Sequence, residues 1–583
     1  MNYKLCKSCK VIQDNNELII LNEIENSEIG LDGITKSEFE DVLNGNKLLK
    51  LLEDIKIKND DESINRLKDF NALIYVLLDQ KIIEPDNEYD YLDKKIWVKS
   101  CLIELTDGCN FRCPHCYVDK SKYNRLTLED IKNLAQELLA LKCNKVTLTG
   151  GEVLTHNEFK QIYQHLYKMG FVIGVNTNGS LFNNEIIEMF KEMPPFVVEI
   201  SLYGYDNSSY NVFTKTKNQF DVVVSNVKKL KDTGIKLILK NVITNSNKQH
   251  FSKIRDVAKK LDVEFRSDYI SFPQINSKFE QNKEQISVKD AILSLKMQPN
   301  AKEYFINLYN SYQKDDGYIF KCKKMDDSLF VNSKLDVCMC ICLQSFSVKY
   351  EKGNLLKCVS QLQDFRLMKY DASNKCKDCR LMSICRYCPA KFYLTTGSYQ
   401  VAPKWFCDYA NQVYSYFIKG VSIIRKRYIS EENFDTLFKI IKNNMINIGV
   451  NVVDEDKKFW VDNIDSKLRD DKFFFYIIFY NGEICGFIEA VDSDNELIVA
   501  EIQLDAKVKG SRMILRVIEF MLNNKKFANY DNIKFSINKK NNMSNKTFGH
   551  LGAKIYSENE KSFRYELTRN QVERYVKKIN HEL

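Results

Sequence analysis

Between about residues 99 and 275, six strand-like apolar runs alternate with helical stretches, and no other feature of this 583-residue chain constrains its fold as strongly. The runs are CLIELT (101–106), KVTLTG (145–150), FVIGVNT (171–177), FVVEISLYG (196–204), KLILKNVI (236–243) and VEFRSDYI (263–270). Helical patterns near 127–142, 156–169, 183–192, 219–233 and 249–261 separate them. Crossovers between strands of one sheet are right-handed, so the alternation predicts an α/β fold built on a parallel array, an open or partial barrel of six β/α units. Chemistry in such arrays gathers on the loops beyond the C-terminal strand ends. Three motifs lie there: DGCNFRCPHCY (107–117), GGE (150–152) and NTNG (176–179).

The rest of the chain reads as three further domains. Residues 1–95 combine a short strand, ELIILN (17–22), with helical patterns around 35–56 and 62–80. Residues 96–280 hold the array, and 281–428 are cysteine-rich, closing on a helix-like stretch at 411–428. Residues 429–583 change character, with a strand–turn–strand at 473–491, a strand at 497–504, a helix at 511–524 and IKFSIN (533–538). The composition, 44% hydrophobic and 28% charged, is that of a globular protein. No apolar run reaches membrane-spanning length and MNYKLCKSCK has no signal-peptide core, so a cytosolic protein without a membrane partner is expected. A net charge of +8 spread over so long a chain does not indicate a nucleic-acid partner.

Eighteen cysteines in a reducing compartment point to metal or redox chemistry rather than disulfides. Cys109, Cys113 and Cys116 form one group, and ten more lie between Cys322 and Cys407. A structural zinc site wants four ligands and a disulfide two. Three thiolates suit an iron–sulfur cubane with one iron left for an external ligand. The alternative is a zinc knuckle with His115 as fourth ligand. Cys6 and Cys9 form an isolated CxxC, and Cys101, Cys143, Cys322 and Cys485 read as buried small hydrophobes or isolated thiols.

CNFRCPHCY resembles the Cx3Cx2C signature of radical S-adenosylmethionine (SAM) enzymes. That resemblance implies a [4Fe–4S] cluster on Cys109, Cys113 and Cys116 whose free iron is chelated by SAM, and reductive cleavage to a 5′-deoxyadenosyl radical that takes a substrate hydrogen. It also implies SAM contacts from Tyr117, Gly150, Gly151, Glu152, Asn178 and Ser201, with ITNSN (243–247) as a later strand end. A reducing partner of flavodoxin or ferredoxin type follows from the same chemistry.

The second cysteine field resembles a SPASM domain, the extension of many radical SAM enzymes that act on peptides. Its CxxC pairs are too close for a zinc ribbon, which separates them by about 15–20 residues. The resemblance implies about three [4Fe–4S] clusters in all, with the auxiliary ligands Cys340, Cys342, Cys358, Cys376, Cys379, Cys385, Cys388 and Cys407. Within this set Cys376, Cys379, Cys385 and Cys407 would hold one cluster. Cys358, Cys388 and one or two of Cys338, Cys340 and Cys342 would hold the other, and the opening ligand stays ambiguous. Gly353 and Cys358 match the Gly-x4-Cys element, whereas CRYC has two residues between cysteines where three are usual. Zinc is the alternative metal for these thiolates.

The N-terminal pattern resembles the RiPP recognition element, a winged-helix module that binds the leader of a ribosomally made peptide as an added strand. The C-terminal pattern resembles the GNAT acetyltransferase fold, which implies an acetyl-CoA site at a loop before a helix. It departs from that pattern at Lys507-x-x-Gly510-x-Arg512 and at Phe548, where a tyrosine is often the general acid. A retained binding or structural role is the alternative to acetyl transfer. The resemblances together imply a peptide maturase forming Cys-sulfur-to-carbon thioether crosslinks in a precursor peptide with a leader. Other readings are epimerisation, carbon–carbon crosslinking, oxidation of Cys or Ser as in sulfatase maturation, and a zinc-stabilised peptide-binding scaffold.

Overall fold

A computed structural model describes residues 98–574 apart from 119–122, 276–278, 280–281, 299, 312–316, 323, 373, 469, 494–495, 509–512, 525–526, 528–529, 531 and 572. Of the first 97 residues it describes 3–6, 9–14, 17–22, 27–32, 36–43, 72–74, 76–77, 80 and 82–85. Contacts divide the chain into one unit of residues 1–5, 37–298 and 313–412 and another of 6–36, 299–312 and 413–583. Among the described residues no helix is long and apolar enough to cross a membrane.

The N-terminal strands are β1 (Tyr3–Leu5), β2 (Cys9–Asp14), β3 (Glu17–Asn22), β4 (Ser27–Asp32) and β5 (Ile83–Pro85). β1 pairs antiparallel with β5, and β2, β3 and β4 form an antiparallel sheet whose centre is the ELIILN run. A helix follows at Lys36–Leu43. Most of the helical pattern read over 62–80 lies outside the described residues.

The first unit is organised by nine strands. They are β6 (Ser100–Thr106), β7 (Lys145–Gly150), β8 (Val172–Thr177), β9 (Val197–Ser201), β10 (Leu237–Val242), β11 (Glu264–Asp268), β12 (Ser328–Val331), β13 (Asp336–Cys338) and β14 (Val348–Lys349). Their order is β11-β10-β9-β8-β7-β6-β12-β13-β14, an open sheet. β6 to β11 run parallel in sequence order, as the alternation requires. Their apolar residues are buried against helices such as Leu128–Ala140, which turns Ile131, Leu134 and Leu138 inward. That helix starts at a capping box of Thr127 and Asp130, which satisfies its first amides. The short run Ser328–Val331 adds β12 parallel to β6, an element that four residues of periodicity could not announce.

The second unit carries β15 (Val421–Arg425), β16 (Phe473–Tyr480), β17 (Glu483–Ser493), β18 (Glu496–Leu504), β19 (Asn532–Asn538), β20 (Lys554–Glu558) and β21 (Ser562–Thr568). The order is β15-β16-β17-β18-β19-β21-β20, antiparallel except for β18 with β19. Those two pair only over Leu497–Val499 and Ile533–Phe535. The stretch 411–428 is not one helix, contrary to its apolar pattern. The helix Lys404–Val413 passes into a π turn at Tyr414–Ile418, Gly420 takes φ +86°, and the β-branched run VSII then pairs with β16.

Glu501 of β18 faces Glu489 across β17. Loss of water pushes its carboxyl up to about 7, a Gln503 hydrogen bond opposes this, and Glu489 adds to it. A folded-state value above the unfolded one makes this carboxyl's contribution complete below pH about 4.5, and lost as pH rises toward 7. Glu501→Gln should therefore remove a fall in unfolding free energy of at most about 3 kcal/mol over that window. Thermal melts of wild type and variant from acidic to neutral pH check it: parallel curves would contradict this reading of Glu501.

Candidate active site

The pairing of β6 with β7 shifts register between Glu104 and Thr106, and there the chain leaves the sheet into the cysteine loop. Asp107 closes the loop base by accepting from the Asn124 backbone N–H (2.7 Å) and side-chain amide (2.6 Å). The GGE segment clamps the same loop from the neighbouring strand end. Gly151 N–H donates to Thr106 O and Glu152 N–H to Gly108 O, both at 2.8 Å. A Cβ on Gly150 would lie 2.3 Å from Thr106 O, and one on Gly151 would lie 2.4 Å from Gly108 O. These glycines are thus required by the approach of two backbone segments of the protein itself.

Glu152 is 1% exposed, and its carboxylate accepts from Leu154 N–H (3.0 Å), the Thr177 hydroxyl (2.7 Å) and Asn178 N–H (2.6 Å). Burial pushes its carboxyl upward, and those hydrogen bonds oppose the shift. With about four acceptor positions on a carboxylate, one remains for a further donor. The Asn178 amide donates to Asn110 (2.8 Å) and its carbonyl accepts from the Ser180 N–H and hydroxyl, tying the end of β8 to the cysteine loop.

Cys109, Cys113 and Cys116 are half-buried, and all three act on the hydroxyl of Tyr203. Burial raises that hydroxyl's pKa first, and the charge of Cys113, then Cys116 and Cys109, adds to it. Tyr203, two residues beyond Ser201 in the SLYG run, was not singled out by the sequence; an aromatic close behind a strand end is its only signal. Its ring stacks on Phe213 (4.7 Å) and meets His115 (4.8 Å), whose Nε2 lies 3.2 Å from the Tyr203 hydroxyl. His115 thus packs into this aromatic wall, against Tyr203 and Phe213. Among the described residues no three His, Cys, Asp or Glu side chains converge on one metal ion. Three half-buried thiols beside a glycine-lined clamp fit a cluster with one iron free of protein ligands.

Tyr117 joins this site to the second cysteine field. Burial raises its hydroxyl pKa, followed by Glu104, Cys116 and Cys342. Glu104 is itself buried at 4% exposure and accepts from Ser333 N–H (3.1 Å).

The second field separates into two groups. Burial and then Cys407 and Cys379 push the Cys376 thiol up to about 11, and Cys385 is raised by burial and then by Cys407, Cys376 and Cys379. Those four are the expected set for one auxiliary cluster. In the other group Cys342 is raised by a hydrogen bond with Cys340, then by burial, and further by Cys340 and Cys388. Cys388 is raised by burial, eased by Lys391, and raised again by Cys340 and Cys322. Cys322, read as an isolated thiol, is among the groups that act on Cys388, after Lys391 and Cys340. The Cys358 thiol donates to Asn354 Oδ1 (3.3 Å) and Lys349 O (3.5 Å), and the groups acting on it are Glu137, Lys357 and Glu351. Glu137 accepts from Gly353 N–H (2.7 Å) and Leu355 N–H (2.9 Å), fixing the start of helix Leu355–Arg366 so that Cys358 faces β14. Cys338 is raised by burial and then by Asp336, Cys340 and Glu104, at the margin of the group. Because buried thiols favour the protonated form, filling either group with metal must release protons.

In the C-terminal unit Phe548 is 4% exposed and packs on Phe535 (4.7 Å). Lys507 pairs with Glu483 (3.0 Å), whereas Gly510 and Arg512 lie outside the described residues.

The model of the Radical SAM superfamily matches residues 103–261, from β6 to the last helix before β11. Over 157 residues the chain is 29% identical to the sporulation killing factor maturation protein SkfB of Bacillus subtilis, covering 27% of this chain and 38% of that one. Over 161 residues it is 29% identical to the antilisterial bacteriocin subtilosin biosynthesis protein AlbA of Bacillus subtilis, covering 27% and 35%. The chain thus spans well under half the length of these curated relatives. A structure of Streptococcus suis SuiB bound to precursor peptide SuiA aligns with 70% of this chain and 99% of its own, at 14% identity and a TM-score of 0.46.

Proposed function

We propose that this chain is a radical SAM enzyme that removes hydrogen from a ribosomally made peptide. The observation that carries the reading is the trio Cys109, Cys113 and Cys116 around Tyr203, held by the Gly150–Glu152 clamp inside the matched segment 103–261. When bound there, a [4Fe–4S] cluster would supply the electron that cleaves SAM to a 5′-deoxyadenosyl radical. The protein's own groups do the positioning. Gly150, Gly151, Tyr117 and Ser201 line the SAM site, Glu152 keeps one acceptor position for the SAM amino group, and Asn178 ties the neighbouring strand end to the cysteine loop. Cys340, Cys342, Cys358 and Cys388 would hold one auxiliary cluster, with Cys338 as the alternative opening ligand, and Cys376, Cys379, Cys385 and Cys407 the other. A flavodoxin or ferredoxin is the reductant.

The peptide substrate is supported by the relatives matched over the core, one named for maturation of a killing factor and one for biosynthesis of a bacteriocin. The N-terminal β2–β4 sheet would hold the leader, with domain limits near residues 95, 280 and 428. The C-terminal sheet, with β18 and β19 parting after three paired residues, would be GNAT-like. Phe548 in its core gives no hydroxyl for acetyl transfer, so we assign it a binding or structural role.

The bond proposed is a thioether from a cysteine sulfur to a carbon, each link removing two hydrogens and one thiol: the carbon's hydrogen atom would go to the 5′-deoxyadenosyl radical, the thiol proton to solvent, and the remaining electron to an auxiliary cluster. Tandem mass spectrometry of a Cys-containing precursor co-expressed with the enzyme should show a mass loss of about 2 Da per link and one fewer alkylatable thiol each time. Mass loss with every thiol still reactive would move the assignment to carbon–carbon crosslinking, and an unchanged mass would point to epimerisation or a scaffold.

A further inference from the structure

The strand β15 ends the C-terminal sheet, and among the described residues it pairs only with β16. Gly420 O accepts from Asn481 N–H and Lys426 N–H donates to Phe475 O, both at 2.8 Å. Backbone direction alternates along an antiparallel strand, so the even-numbered residues address β16. The N–H and C=O groups of Val421, Ile423 and Arg425 therefore point away from the sheet. Long open edges of this kind are templates for another strand unless they are covered.

Among the described residues no further strand covers this edge, which lines an open groove of about 580 Å³. All five residues of β15 border it, together with the first turn of helix Ala301–Asn310 and one side of helix Met513–Asn523. Its charges are uneven. Glu303 is engaged by Lys426 (3.2 Å), and Glu519 by Arg516 (3.2 Å). Lys302 donates to the Val421 carbonyl, at 3.3 Å, and Arg425 donates to the Phe473 carbonyl, at 2.9 Å, and to the Asp471 carbonyl, at 3.5 Å, and lies over the Phe474 ring, at 4.8 Å. Among the described residues neither has a carboxylate within ion-pair distance. Asn300 precedes the helix with φ +61° and no side-chain cap. Ser422, 3% exposed, has a buried hydroxyl without a hydrogen-bond partner.

We propose that this groove docks an extended acidic peptide segment, added to β15 as a further strand through Val421, Ile423 and Arg425, with its carboxylates against Lys302 and Arg425. An extended chain meets the outward N–H and C=O groups, and Lys302 and Arg425, with no carboxylate in ion-pair range among the described residues, select acidic side chains. The radical reading plays no part in this, so either can fail alone.

The test is fluorescence anisotropy of the full chain with a labelled peptide of alternating valine and glutamate, and with its valine–lysine counterpart. The glutamate peptide should bind saturably and the lysine peptide at least about tenfold more weakly. Ile423→Pro should weaken the glutamate peptide by about tenfold, since it deletes an outward N–H and places a ring against the incoming strand. It leaves the β15–β16 bonds in place, so an unchanged melting temperature shows that the sheet is intact. Lys302→Glu, a surface change, should reverse the charge preference. Absence of saturable binding, equal binding of both peptides, or binding indifferent to both substitutions would overturn the proposal. A dimer in light scattering that Ile423→Pro dissolves would also overturn it, by assigning the edge to a second copy of this chain.

Discussion

Replacing Cys109, Cys113 and Cys116 together by alanine should abolish 5′-deoxyadenosine formation while leaving about two thirds of the iron in place. All three thiols sit on one loop, which the backbone of Gly151 and Glu152 clamps onto the end of β6. Asp107 and Asn124 close the base of that loop without help from the cysteines. Alanine removes the thiolates and leaves this frame intact, so the variant should fold. The loss expected is complete because no other group of thiols stands beside the Glu152 acceptor and the Tyr203 wall. Anaerobic reconstitution, iron analysis and chromatography of the SAM products measure it. Reductive cleavage at the wild-type rate in the triple variant would remove the radical SAM assignment.

A second pair of variants separates the two candidates for the auxiliary ligand. Three thiolates suffice to hold a cubane, whereas two do not. Cys358→Ala with Cys388→Ala leaves only Cys340 and Cys342 of the proposed set, and iron should fall from about twelve to about eight per chain. Cys322→Ala with Cys388→Ala leaves Cys340, Cys342 and Cys358, and iron should stay near twelve. The reverse pattern of iron would remove Cys358 from the cluster and put Cys322 in its place.

The sequence by itself determined the parallel core and the first site. Hydrophobic period and helix signals are local properties, and β6 to β11 follow them in order. Cys109, Cys113 and Cys116 lie within one short loop, so their spacing alone brings them together whatever the rest of the chain does. Tertiary structure decided everything that depends on contacts between distant segments. Gly150 and Gly151 are legible as glycines, but only the neighbouring strand shows that the carbonyls of Thr106 and Gly108 leave no room for a Cβ. Glu152 reads as a ligand group, yet folding spends three of its acceptor positions on Leu154, Thr177 and Asn178. Cys358 satisfies the expected spacing behind Gly353, and only the fold shows that Glu137 holds the start of its helix and that its thiol meets the Lys349 carbonyl. Cys322 satisfies no spacing, and only the fold puts it among the groups that act on Cys388. Spacing specifies neighbours only within a turn or a loop; beyond that, the face a helix buries and the strand it packs on decide which thiols meet.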